Sequence, residues 1–420
     1  MRIALSNGRA FIAGKLAKRN ILVENGKITE ISRGKIGAEK EIECKNRVIL
    51  PGAIDCHVHF RSPGLEYKED MVSGSLAAIH GGVTTVMDMP NTLPPTITIK
   101  ALEEKRSIAA RDCAVNFDAY MGATENNIDE IRRAKGLKGV KLYYGSSTGN
   151  MLFNEKEKIA KLFEECKRKN IVVVAHAEDE NEIAANMEKY RSRNDPAVHA
   201  LIRSDIAEEK AINELVKIQK EIGNRLHIAH LSSKKGLEAV KKAKKARLPV
   251  SCEVSPNHLF LNDADYKRLG NPIKCNPSIK TAQDQKALWQ GLVKGDIDIV
   301  ATDHAPHALG EKMQGYKDCP SGIAGLETML PLLLDAAARR KIKLARAIDA
   351  CCSAPARLFG WNSKGFIGEG FDADLVIVDV NRAHRVENDR LFTKALYSPF
   401  NGMKLKGFIE KTIVGGEVYG

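Results

Sequence analysis

The chain has 420 residues, of which 43% are hydrophobic and 28% charged, and it carries a net charge of +12. This balance excludes a disordered chain, and the length leaves room for one large α/β barrel with a satellite domain. The positive charge lies largely in helix-like segments such as Lys156–Lys169 and Lys234–Lys245. No nucleic-acid-binding motif accompanies it, so it reads as solvated helix faces and modestly favours an anionic small substrate.

Nine cysteines, none in a Cys-x-x-Cys pair, fit free thiols in a reducing compartment. The start, Met1-Arg2-Ile3-Ala4-Leu5-Ser6-Asn7, lacks the apolar core of a signal peptide, and no run approaches a membrane span. A cytoplasmic enzyme or binding protein is expected, with no membrane or nucleic-acid partner.

Residues 1–50 read as short strands. Ile21-Leu22-Val23 and Ile28-Thr29-Glu30-Ile31 flank Glu24-Asn25-Gly26-Lys27, a hairpin signal. The end of the chain is similar, with strands at Asp374–Asp379 and Thr412–Tyr419. Two β-rich ends suggest one small β-sandwich-like domain built from residues 1–50 and 362–420, with a catalytic barrel of residues 51–361 inserted between them.

That middle alternates strand-like and helix-like segments, the pattern of a parallel sheet with crossover helices. Eight strands are expected: Val48–His59, Val83–Asp88, Ala114–Tyr120, Val140–Tyr144, Ile171–His176, Leu226–Leu231, Leu248–Glu253 and Ile297–Asp303. Helices are expected over Glu155–Lys169, Asp205–Ile222 and Lys235–Ala246. Eight strands with helices make a (β/α)8 barrel of the TIM type.

Polar residues then fall in a pattern. His57 and His59 close the first strand, and a period of two residues would put both on one face. Alone, such a pair is more often two satisfied core histidines than a metal site. However, His176, His230, Glu253 and Asp303 end the fifth to eighth strands, and barrel enzymes keep their reacting groups at that rim. Four imidazoles and Asp303 suit zinc or a similar divalent ion, and they exceed what one catalytic zinc uses, so two metals use them better.

Lys141, on the fourth strand, fits less simply. It is either turned away to meet a carboxylate, or neutralised by CO2 so that its carbamate bridges two metals; the residues alone leave both readings open. His227 lies an odd three residues from His230 and should face the other side of its strand. His258 and His304 suit supporting or packing roles, and His80, His199 and His384 have no partner in the sequence.

Asp55-Cys56-His57-Val58-His59-Phe60-Arg61-Ser62-Pro63-Gly64, followed by Lys68-Glu69-Asp70, resembles the first signature of the dihydroorotases within the amidohydrolase superfamily. Ala301-Thr302-Asp303-His304-Ala305-Pro306-His307 resembles the second. Gly139-Val140-Lys141-Leu142-Tyr143, Ala175-His176-Ala177-Glu178 and Ile228-Ala229-His230-Leu231-Ser232 resemble the segments that carry the bridging lysine and two histidines. Gly325–Pro331 and Gly368–Leu375 also look familial, and the resemblance covers nearly the whole chain.

The resemblance implies two zinc ions per chain. His57, His59 and Asp303 would hold one, His176 and His230 the other, and carboxylated Lys141 would bridge them. It implies that Arg61, Asn91 and His307 bind the substrate's α-carboxylate and that Asn276 contacts the pyrimidine ring. The implied reaction is the reversible cyclisation of N-carbamoyl-L-aspartate to L-dihydroorotate in pyrimidine biosynthesis, with a metal-bridging hydroxide as nucleophile and Asp303 as general acid–base. A loop after the fourth strand closes over substrate in several members; here it falls near Gly145–Gly149, with no residue role carried over. A homo-oligomer or an association with another enzyme of the pathway is compatible with it.

Arg61 separates this chain from relatives that share the metal ligands. A planar guanidinium suits a carboxylate, and allantoinase-like or hydantoinase-like substrates offer none. A catalytically inactive scaffold should have lost ligands, whereas this chain keeps all six.

Overall fold

The computed structural model describes residues 1–145 and 151–420. The loop expected near Gly145–Gly149 falls outside the described residues from Ser146 onward.

Parallel strands form two arcs of one barrel. Ala53–Val58, Val83–Asp88 and Asn116–Ala119 pair in one arc; Met121–Gly122, Gly139–Tyr144, Val172–Ala177, Leu226–Ile228, Val250–Val254 and Ile299–Val300 pair in the other. The third strand spans both arcs, interrupted only at Tyr120, whose N–H donates to the Asp88 carbonyl. At the other seam the His59 N–H donates to the His304 carbonyl at 2.8 Å, and Thr302 donates through its N–H and Oγ1 to the buried Asp55. Helices cover the outside, so the strands are buried on both faces.

Side-chain alternation decides what enters the barrel. In Gly139–Tyr144, Val140, Leu142 and Tyr144 join the core under the helices, whereas Lys141 and Tyr143 line a cavity at the barrel mouth. In Val172–Ala177, Val173, Ala175 and Ala177 pack outward. Val172 and Val174 fill the interior with Met87, Tyr120 and Ile299, and His176 stands above them in the cavity.

The expected helices form with small shifts, at Lys156–Arg168, Asp205–Ile222 and Lys234–Lys245. Asp205–Ile222 starts at Ser204, whose hydroxyl accepts from Ala207 N–H, and stops at Gly223, which takes the left-handed conformation that glycine adopts without a Cβ penalty. Lys234–Lys245 buries Leu237, Ala239, Val240 and Ala243 and leaves lysines outside, which accounts for much of the charge as a solvated face. Among the described residues no helix is long and apolar enough to cross a membrane.

Both chain ends build one eight-stranded sheet, in which Leu375–Arg385, Lys404–Val414 and Glu417–Tyr419 continue the strands of the N-terminal segment. Its core includes Leu5, Ile21, Ile28, Ile49, Leu375 and Ile413. The run Val48–His59, expected as one strand, is two. Val48–Pro51 pairs antiparallel with Leu375–Val378 in the terminal sheet, and Ala53–Val58 pairs with Val83–Asp88 in the barrel. Gly52 is the corner between them. A Cβ there would come within 2.1 Å of Thr84 Oγ1, so only glycine lets the chain pass from one sheet to the other.

Candidate metal centre

The first barrel strand is irregular where it delivers its histidines. Its register with the second strand slips between Asp55 and Val58, and His59 lies beyond its end. The two imidazoles therefore do not meet through simple alternation. They meet at Asp303: His57 Nε2 and His59 Nε2 lie 3.3 and 3.1 Å from Asp303 Oδ1.

The far nitrogen of each ring fixes its tautomer. His57 Nδ1 is hydrogen-bonded to Glu253, and His59 Nδ1 lies 2.6 Å from Asn91 Oδ1. Both acceptors require the proton on Nδ1, so both Nε2 lone pairs face the Asp303 carboxylate. Three electron-rich atoms converging there repel one another unless a cation lies among them, and the one donor nearby, Lys141 Nζ, reaches His57 Nε2 only at 3.5 Å. The donor set therefore fits a metal, and the ligand atoms of His57, His59 and Asp303 all fall within 4.8 Å of one another.

On the facing strands, His176 Nδ1 lies 3.0 Å from His230 Nε2. His176 Nε2 is 3.0 Å from Glu178, which is itself paired with Arg203, but the approach is oblique and makes no hydrogen bond. His230 Nδ1 has no hydrogen-bond partner among the described residues.

Lys141 is turned inward, 1% exposed, with Nζ 3.5 Å from His57 Nε2. The turned-away alternative is thereby overturned. Burial lowers its pKa to about 8, so an appreciable fraction is the free amine near neutral pH. Burial, then the Lys141 charge, lowers His57; burial, then Arg61, lowers His59 further. Burial is also the main cause lowering His176 and His230. Neutral imidazoles are the form that binds a metal.

His57, His59, Lys141, His176, His230, Asn276 and Asp303 line one cavity, together with Tyr143. Arg61 and His307 stand beside it as a pair. The Lys68 ammonium can only donate, so His307 Nδ1, 3.0 Å from it, accepts. His307 Nε2 then carries its proton and donates to the Ser321 carbonyl at 3.1 Å. Arg61 Nη2 lies 3.3 Å from that same nitrogen, a donor beside a donor, which is the arrangement a carboxylate oxygen satisfies. Burial, then Arg61 and Lys68, hold His307 far below its ordinary range, so it stays neutral there.

The other residues take their places around this set. Asn91 meets His59, as above. Asn276 Oδ1 lies 3.0 Å from His199 Nε2, which also faces the Cys275 carbonyl at 2.9 Å. His199, left without a partner by the sequence, thus supports Asn276. His258 bonds Ser255 and the Pro277 carbonyl in the same loop, and buried His304 accepts from Gly325 N–H. Away from the cavity, His80 stacks on Phe392 and His384 meets the Phe408 ring edge-on.

Two corrections concern the interior. His227 was expected to face away from His230, but Leu226 and Ile228 are the outward residues, and His227 Nε2 reaches Glu253 Oε2 at 3.1 Å inside the barrel. The strand stops at Ile228 and His230 has φ +36°, so the two-residue period does not extend to it. Glu253, read only as the polar end of a strand, anchors His57, His227 and the His230 N–H at once. Burial raises its carboxyl, but His57 and His227 outweigh that and hold it well below the usual range.

The amidohydrolase family profile matches residues 48–419, from the corner strand through the terminal sheet. The chain belongs to the amidohydrolase family. This amidohydrolase is 37% identical over 408 residues to a dihydroorotase of Methanothermobacter thermautotrophicus, covering 94% of this chain and 90% of that one. It is 40% identical over 363 residues to a dihydroorotase of Halobacterium salinarum, covering 84% and 82%. Its fold superposes on the L-hydantoinase (dihydropyrimidinase) of Arthrobacter aurescens with a TM-score of 0.95 at 31% identity, over 99% of this chain and 95% of that one. The barrel with its terminal sheet is the amidohydrolase fold.

Proposed function

We propose that this amidohydrolase is a zinc-dependent dihydroorotase, interconverting N-carbamoyl-L-aspartate and L-dihydroorotate. The observation that carries the substrate is the Arg61–His307 donor pair beside the metal-type cavity. A hydantoin offers that pair no carboxylate. The dihydroorotase relatives support the same reading.

In this reading His57, His59 and Asp303 would hold one zinc, His176 and His230 would hold a second, and Lys141, as its carbamate, would serve both. Carbamate formation needs a neutral amine, which the burial of Lys141 supplies. Zinc bound there would polarise the ring amide carbonyl and make hydroxide available at neutral pH. The chain's own groups do the rest. Arg61, His307 and Asn91 grip the α-carboxylate, and Asn276 meets the pyrimidine ring. In ring opening, Asp303 takes a proton from the attacking water at its carboxylate oxygen. As the ring C–N bond breaks, Asp303 returns that proton to the leaving nitrogen. Cyclisation runs the same transfers backwards.

Assay of the purified protein with L-dihydroorotate, hydantoin and allantoin tests the proposal, with turnover of dihydroorotate far above the others expected. Turnover of allantoin without dihydroorotate would overturn it. Arg61→Met should lower kcat/KM for dihydroorotate by roughly 100-fold, because a buried charged donor to the carboxylate is lost.

A further inference from the structure

Tyr143 lines the cavity and belongs to neither the metal set nor the carboxylate grip. It sits two residues after Lys141 on the same face of the same strand, and both point into the cavity. The Lys141 Nζ lies 5.4 Å from the centre of its ring. Tyr143 is 4% exposed, and its hydroxyl is buried without a hydrogen-bond partner among the described residues.

A buried phenol with nothing to donate to forfeits the hydration it had in the unfolded chain, at a cost of about 1–3 kcal/mol. Phenylalanine would fill the same space without that cost. The hydroxyl therefore needs a partner that arrives later. Asp303 and Arg61 both lie close enough to act on it electrostatically. Tyr143 lines the cavity with the metal-type residues, whereas Arg61 and His307 do not, so it stands on the metal side of the site.

Resting on the dihydroorotase reading above, we propose that the Tyr143 hydroxyl donates a hydrogen bond to the carbonyl oxygen under attack, strengthening as that oxygen gains negative charge. A donor fixed in a dry cavity and aimed at developing charge lowers the barrier more than it tightens ground-state binding. Tyr143 is then a catalytic residue in its own right, beside Asp303.

The test is Tyr143→Phe, which removes one oxygen atom and keeps the ring. Steady-state ring opening of L-dihydroorotate, metal content and thermal midpoint are measured for both proteins. The proposal expects kcat to fall about 100-fold, with KM within about twofold and with metal content and midpoint unchanged. An unchanged kcat would overturn it. So would a rise in KM at constant kcat, which would put the hydroxyl on a ground-state group such as the carboxylate. A parallel loss of metal or of thermal stability would make Tyr143 structural and overturn it too. If the unaltered protein fails to turn over dihydroorotate, the substrate reading falls instead, and the two failures are told apart by that first measurement.

Discussion

The two halves of the metal centre are built to different standards. On the side of the first and eighth strands, each imidazole is locked from behind, His57 by Glu253 and His59 by Asn91. Glu253 is in turn held by His227. On the side of the fifth and sixth strands, His176 and His230 mainly face each other, the Glu178 carboxylate meets His176 only obliquely, and His230 Nδ1 has no partner among the described residues. Orientation imposed before a metal arrives lowers the entropic cost of binding it. In the proposed two-metal reading the first half would therefore be the preorganised, tighter site, and the second would rely on the Lys141 bridge to hold its metal.

The largest effect tests that bridge. Lys141→Ala should cut turnover by more than about 1,000-fold, with partial recovery on adding acetate or propionate to stand in for the carbamate. Activity equal to the unaltered protein would remove the bridge from the mechanism. Next, Glu253→Gln should weaken metal binding at the first half by about 10–100-fold, read by competition with a chromophoric chelator. If the affinity does not move, the locked half owes its order to something else. Stepwise chelation of the zinc-loaded protein should release metal in two phases separated by about tenfold in chelator concentration; one phase would erase the distinction between the halves. The smallest effect on metal is expected for Glu178→Gln, no more than about threefold. Its main consequence lies elsewhere, since the buried Arg203 loses its carboxylate and the fold should lose roughly 3 kcal/mol in denaturant titration. A large loss of metal in that variant would show that Glu178 locks His176 after all.

Much of this was legible in the residues. Apolar runs of strand length, separated by amphipathic helices, are a strong local signal, and Asp205–Ile222 emerges with the bounds its caps predict. The convergence of His57, His59, His176, His230 and Asp303 on one cavity followed from placing each at the rim of its strand, whereas the residues alone left the direction of Lys141 open. What escaped lies where the chain leaves regular structure. Arg61, His230 and Asp303 have φ of +62°, +36° and +51°, a region that costs a side-chain-bearing residue of order 1 kcal/mol or more and that tertiary packing must impose. No periodicity reports it, so neither the inward turn of His227 nor the slip at Cys56-His57 could be read in advance. Glu253 was visible as a polar strand end, but a carboxylate that binds a metal and one that props a ligand have the same spacing in sequence.

The seam between the first and eighth strands also sets an order in time. His59 and Asp303 are separated by 244 positions, so a chain made from its N-terminus presents every imidazole of the centre well before the carboxylate that completes it. The four imidazoles cannot be gathered into a finished site until the last strand closes against the first. A metal captured earlier would lack the Asp303 carboxylate. Closure of the barrel would thus complete the donor set for an ion as well as the fold.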